Sequence, residues 1–106
     1  MPRESLGEFE QLVLLACLRL GADAYVVSVI DEIAARTGRE ASHAAVYVAL
    51  KRLEKKGLVT SSMGDPVAER GGRSRRYFSV ESEALEQLRA SRDALLSMWD
   101  GVEAER

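Results

Sequence analysis

SHAAVYVALKRLEKKGLVTSSMGDPVAERGGRSRRYFSV, residues 42–80, is the stretch whose reading decides the fold. Ser42 is a favoured helix N-cap type, and Val46, Ala49, Leu50 and Leu53 recur at helical spacing, so the spacing predicts a helix with one apolar face. Gly57 stops it. Leu58 and Val59 then open an extended run, and a charged, glycine-bearing loop separates it from a second run, Arg75-Arg76-Tyr77-Phe78-Ser79-Val80. A basic helix that leads directly into a basic hairpin is the pattern of a winged helix-turn-helix, and it predicts contact with DNA.

Upstream of this stretch, Arg39-Glu40-Ala41 gives a connection of helix-turn-helix length to a preceding helix from about Tyr25 to Thr37. Val26, Val29, Ile30 and Ile33 form its inner side, and Gly38 has the residue type expected just past a helix end. A first helix is expected from Leu6 to Leu20, closed by Gly21, with Leu6, Phe9, Val13, Ala16 and Leu20 as a core stripe. Leu12, Leu14, Leu15 and Leu18 make this helix apolar nearly all round, which points to a second apolar face used between subunits.

Downstream, a helix from Ser82 to the end carries Leu85, Leu88, Arg92, Leu95, Trp99 and Val102 at alternating steps of three and four, a heptad-like seam with one polar interruption. So short a seam barely supports a free coiled coil, so it is expected to pack on the back of helix one from a second copy, giving a twofold dimer. Leu12, Leu15, Leu85, Leu88, Arg92, Leu95, Trp99 and Val102 are the expected dimer contacts. The expected class is mainly α with a small β-hairpin: a winged helix-turn-helix over residues 1–80 and a dimerisation helix over 81–106.

Charge is segregated along the chain. The net charge of −2 is the sum of −3 over residues 1–38, +5 over 39–76 and −4 over 77–106, so the cations concentrate on the helix and hairpin of the opening stretch. An acidic total does not disfavour a polyanion partner, because attraction depends on charge within a Debye length of about 8 to 10 Å. On the helix, Ser42 and His43 sit at the N-terminal end, Ala44, Val48, Lys51 and Lys55 face outward, and Tyr47 and Arg52 flank them. A reading helix enters the major groove N-terminus first, so the early residues reach base edges while Lys51, Arg52 and Lys55 suit phosphates. A lysine-bearing amphipathic helix alone is usually only a solvated surface. Arg70, Arg73, Arg75 and Arg76, crowded around Gly71-Gly72 in the hairpin, are what turn the expectation towards DNA.

Other chemistries find little support. The lone His43 and the lone Cys17 make no metal-ligand set, no nucleophile elbow or phosphate-cradling loop occurs, and no cofactor or enzymatic activity is expected. Cys17 is expected to be a buried free thiol. The longest apolar run, Leu12 to Leu18, is too short to span a membrane and the N-terminus lacks a signal-peptide pattern, so the expected location is cytoplasmic.

LGEFEQLVLLACLRLG, the Ala24-Tyr25 pair, VYVALKRLEKKGLV with Tyr47, Leu50, Leu53 and Gly57 in register, and the wing ending GGRSRRYFSV together resemble the PadR family of bacterial transcriptional regulators. The chain departs from that family's common pattern at Val26, Ala44, Val48, Glu81 and Ala84. The resemblance implies a homodimeric repressor of the short form, released from an inverted-repeat operator by a small aromatic effector near the dimer interface, with Trp99 as the candidate contact. Two other readings stay open: a winged helix that docks a protein partner, and a small-molecule scaffold without regulatory DNA binding.

Overall fold

The computed structural model describes residues 6–64 and 74–102. Helix α1 spans Glu8–Leu20, a short 3-10 turn Gly21–Asp23 follows, α2 spans Val26–Thr37 and α3 spans His43–Lys55. Strands β1, Val59–Met63, and β2, Arg76–Val80, form an antiparallel hairpin, and α4 spans Ser82–Trp99. The expected mainly helical class with one hairpin is the observed architecture.

Each boundary has a local cause. α1 starts two residues later than its apolar stripe suggests, because Glu10 Oε1 accepts the Gly7 backbone N–H at 3.0 Å and makes Gly7 the N-cap. α2 ends at Gly38, which adopts φ 74°, and its N–H donates to the Ala34 carbonyl at 2.9 Å. At the end of α3, Gly57 N–H donates to the Glu54 carbonyl and Leu58 N–H to the Leu53 carbonyl, both at 3.0 Å, which is the Schellman arrangement. Gly57 has φ 79°, a conformation costly for any residue with a Cβ. The buried Leu58 that follows turns the chain directly into β1.

One core joins these elements. Val13, Leu14, Ala16 and Cys17 of α1 meet Val29 and Ile33 of α2, Val46, Ala49, Leu50 and Leu53 of α3, and Val59 and Phe78 of the hairpin. The Phe78 N–H donates to the Ala24 carbonyl at 2.9 Å, so the turn after α1 extends the sheet edge and fixes the hairpin against the helices. Cys17 is buried as expected, and burial pushes its thiol pKa up to about 12, where it behaves as a small apolar residue.

Three sequence expectations change. Leu14, placed on the outward face of α1, is completely buried, while Leu15 and Leu18 are exposed. A helix apolar all round carries no periodicity by which to choose the buried side. Leu88, assigned to the contact between subunits, is taken up with Ala84 by the chain's own core, so the unpartnered part of the α4 seam begins at Arg92. Val102 lies beyond the helix: α4 ends at Trp99 and Gly101 takes φ 84° in the turn that follows. No helix among the described residues is long and apolar enough to cross a membrane.

Candidate nucleic-acid interface

α3 presents its front to solvent because its buried positions all fall on the other side. Ser42 caps it, its side-chain oxygen accepting the Ala45 N–H at 3.0 Å, and this satisfies one of the free donors at the end that would enter a groove. His43, Ala44, Tyr47, Val48, Lys51, Arg52 and Lys55 are all exposed, as their angular positions on the helix require. Tyr47 and Val48 are large apolar side chains left in water, and the cations lie one to two turns beyond them.

The wing lies beside this face through two separate attachments. Strand alternation sends Arg75 and Arg76 to opposite sides of the hairpin. The Arg75 guanidinium stacks 3.9 Å over the Tyr25 ring at the start of α2, and Tyr25 meets Tyr77 edge to face at 5.7 Å between centroids. Tyr77 in turn covers Gly64, where an added Cβ would lie 2.6 Å from its ring, so only glycine fits beneath the aromatic pair. On the other side, Arg76 Nη1 donates to Ser61 Oγ at 2.9 Å, its diagonal neighbour across the hairpin.

Ser61 continues this link to α3. Its hydroxyl donates to Glu54 Oε2 at 2.7 Å, and Glu54 Oε1 accepts from Lys51 Nζ at 2.9 Å. The hydrogen bonds from Lys51 and Ser61 hold the Glu54 carboxyl below its usual range. Between α2, the start of α3 and the wing runs a groove of about 360 Å³, walled by Tyr25, His43, Tyr47, Arg75, Arg76 and Phe78.

The basic block therefore divides by task. Lys56 and Arg39 turn away from the exposed face of α3: Lys56 Nζ lies 3.2 Å from both oxygens of the buried Glu10, and Arg39 pairs with Glu8 at 3.0 Å while lying 5.3 Å over Phe9. Both fasten α1 to the helix-turn-helix. Arg52 and Lys55 are exposed and have no carboxylate partner among the described residues. Arg70 and Arg73 lie outside the described residues. Tyr25, Glu54 and Ser61 are the positions that reasoning from sequence missed. Glu54 three residues after Lys51 was the available signal, but Ser61 and Tyr25 depend on hairpin register and on where α2 starts.

At the far end of the molecule α4 leaves Leu95, Leu96, Met98 and Trp99 between 53% and 77% exposed. Arg92 and Asp93 at the start of this segment pair with each other at 3.0 Å. Among the described residues no group of three or more His, Cys, Asp or Glu side chains is placed to hold a metal.

The model of the PadR-like family of transcriptional regulators matches residues 14–89. Among solved structures, a PadR family transcriptional regulator from Eggerthella lenta is 27% identical, with a TM-score of 0.69 over 90% of this chain and 82% of that one. A transcriptional regulator from Clostridium thermocellum is 18% identical, with a TM-score of 0.71 over 91% and 90%. BpsR of Bordetella bronchiseptica, whose DNA binding is regulated by 6-hydroxynicotinic acid, is 19% identical, with a TM-score of 0.64 over 98% of this chain and 73% of that one. No curated protein sequence matches the chain.

Proposed function

The chain belongs to the PadR-like family of transcriptional regulators, and from that premise we propose that it is a cytoplasmic repressor that binds an inverted-repeat operator as a homodimer. The observation that carries this reading is the conjunction on one surface of a capped, outward-facing α3 and a wing whose arginines are held beside it. Ser42, His43, Ala44, Tyr47 and Val48 are suited to base edges. Lys51, Arg52, Lys55, Arg75 and Arg76 are suited to the flanking phosphates, as are Arg70 and Arg73 from sequence.

Two copies are needed for a twofold operator, and the exposed end of α4 supports that assembly. Leu95 and Trp99 leave apolar area exposed on α4, and Leu12 and Leu15 of α1, which line a separate groove with Arg19, Glu32 and Arg36, offer apolar area that a second copy's α4 could cover. α4 thus acts as the dimerisation helix, setting the two α3 helices about 34 to 36 Å apart on successive major-groove turns.

A small aromatic effector acts on this geometry through Trp99, half exposed on the same surface. It can shift the dimer only by binding one spacing of the reading helices better than the other. The regulation of BpsR by a small aromatic acid is a parallel within the same fold.

The test is a salt-titrated gel shift with DNA flanking the protein's own gene. Binding that weakens steeply with salt, with tighter binding to one flanking segment than to random sequence, is the expected result. Absence of binding at low salt would favour a protein-docking module instead. Quenching of Trp99 fluorescence by planar aromatics with no change in DNA binding would favour the scaffold reading.

A further inference from the structure

Glu54 is a carboxylate in the middle of a surface otherwise organised for phosphate, and it is not an isolated charge. One of its oxygens holds Lys51 Nζ at 2.9 Å and the other holds Ser61 Oγ at 2.7 Å, whose oxygen accepts from Arg76 at 2.9 Å. One side chain therefore engages cations from both parts of the interface, the reading helix directly and the wing through a hydroxyl. The Lys51 and Glu54 side chains are 43% and 31% exposed, so a phosphate can reach Lys51, but only by competing with a hydrogen-bonded carboxylate already present.

The geometry points to Glu54 as a positioning residue that sets the discrimination between operator and random DNA. It does so by occupying Lys51 and Arg76 until a phosphate arrives in the register that the rest of the interface imposes. Loose, sequence-independent contact draws on whichever cations are available and exchanges counterions for them. With Glu54 in place, Lys51 and Arg76 contribute little to such contact. Seated on an operator, α3 and the wing place phosphates against both cations at once, and exchange of partners becomes favourable. The carboxylate thus weakens random binding more than operator binding, which is negative selection against the wrong DNA. The link also ties β2 to the second half of α3, so that wing and helix meet the duplex as one unit.

This inference rests on the DNA-binding reading above, and the experiment separates the two. Glu54→Gln, Ser61→Ala and the control Glu83→Gln, an exposed carboxylate on α4, are compared with the wild type by gel shift on a short random-sequence duplex and on the flanking DNA of its own gene. Salt is varied between about 50 and 200 mM. Glu54→Gln is expected to tighten random binding roughly 3- to 10-fold at the low-salt end and to steepen the logarithmic salt slope by about one to two, as up to two further phosphate contacts form. Operator preference falls accordingly. Ser61→Ala, which releases Arg76 alone, gives about half the change in slope, and Glu83→Gln gives none.

A wild type that binds no duplex overturns the DNA-binding reading and this inference with it. A wild type that binds, with Glu54→Gln and Ser61→Ala leaving slope and preference unchanged, overturns the role of Glu54 alone. Equal weakening on both duplexes at an unchanged slope does the same, since it would mark Glu54 as structural support only.

Discussion

The front of α3 and the outer half of α4 both leave large apolar side chains in water, yet their surroundings differ. Tyr47 and Val48 are flanked by Lys51, Arg52, Lys55 and the wing arginines, whereas Leu95, Leu96, Met98 and Trp99 have at their head only Arg92 and Asp93, which pair with each other. Exposed apolar area costs roughly 25 cal/mol per Å² wherever it occurs, so each surface calls for a partner. The neighbouring charge indicates what kind. An apolar patch set among cations fits base edges between phosphates, and one with little charge fits another apolar surface, most simply a second copy.

The strongest way to break this comparison is to place a charge on the α4 surface. Leu95→Asp should raise the dissociation constant of the proposed dimer at least about 100-fold, because an unpaired carboxylate in an apolar contact costs several kcal/mol. Sedimentation velocity would show monomers at concentrations where the wild type is dimeric, and operator affinity would fall while the fold, read by circular dichroism, persists. A variant that remains dimeric would mean that α4 is not the contact.

The next largest effect belongs to the wing. On operator DNA, Arg75→Ala with Arg76→Ala should reduce the logarithmic salt slope by about 2, since each phosphate contact contributes about 0.9. On random-sequence duplex the reduction is about 1, from Arg75, because Ser61 and Glu54 already hold Arg76 there. Dimer dissociation should not change. Arg75 lies on Tyr25 and Arg76 on Ser61, so an unchanged slope would show both cations to be occupied permanently by those partners.

A smaller and more selective effect is expected at the front of α3. Exchanging Val48 for Thr, or Ala44 for Ser, should change the preference among operator variants about 5- to 10-fold, near the low end of the 1 to 3 kcal/mol that one base contact discriminates. The salt slope stays the same. Uniform loss over all sequences would reduce these positions to support for the helix, and the apolar patch of α3 would then need another explanation.

What could be read from sequence follows the range of the interaction. Helix positions, the Gly38 and Gly57 stops, the Ser42 cap and the hairpin are set by periodicity and by residues a few positions apart, and all are legible in the chain itself. Periodicity alone puts Leu14 and Leu88 on outer faces, because an all-round apolar helix and a heptad-like seam do not say how much of each surface the chain covers with its own residues. The basic block was legible as charge, though not as geometry. Lys56 finds Glu10 and Arg39 finds Glu8 across 46 and 31 residues, and no local pattern announces either pair. Arg76 reaches Glu54 only because Ser61 lies diagonal to it in the observed hairpin register.

The smallest effect separates the two helices by how they begin. Ser42 accepts the Ala45 N–H, whereas α4 starts from Glu81 with no side-chain cap, and the Ala84 N–H instead donates to the Glu81 carbonyl at 3.0 Å. Ser42→Ala should therefore cost about 1 kcal/mol. For a domain of this size that lowers the melting temperature by roughly 4 to 8 °C. Glu81→Ser should act in the opposite direction and by less, a few tenths of a kcal/mol, because it gains a cap oxygen but gives up a carboxylate that favours the helix N-terminus. Thermal melts of the two variants would read this difference directly. Ser42→Ala should also weaken operator binding, since it frays the end of α3 proposed to enter the groove, while Glu81→Ser leaves operator binding unchanged because it lies at the opposite end of α4 from Leu95 and Trp99. Equal effects of both variants on operator binding would mean that order at the start of α3 does not limit recognition.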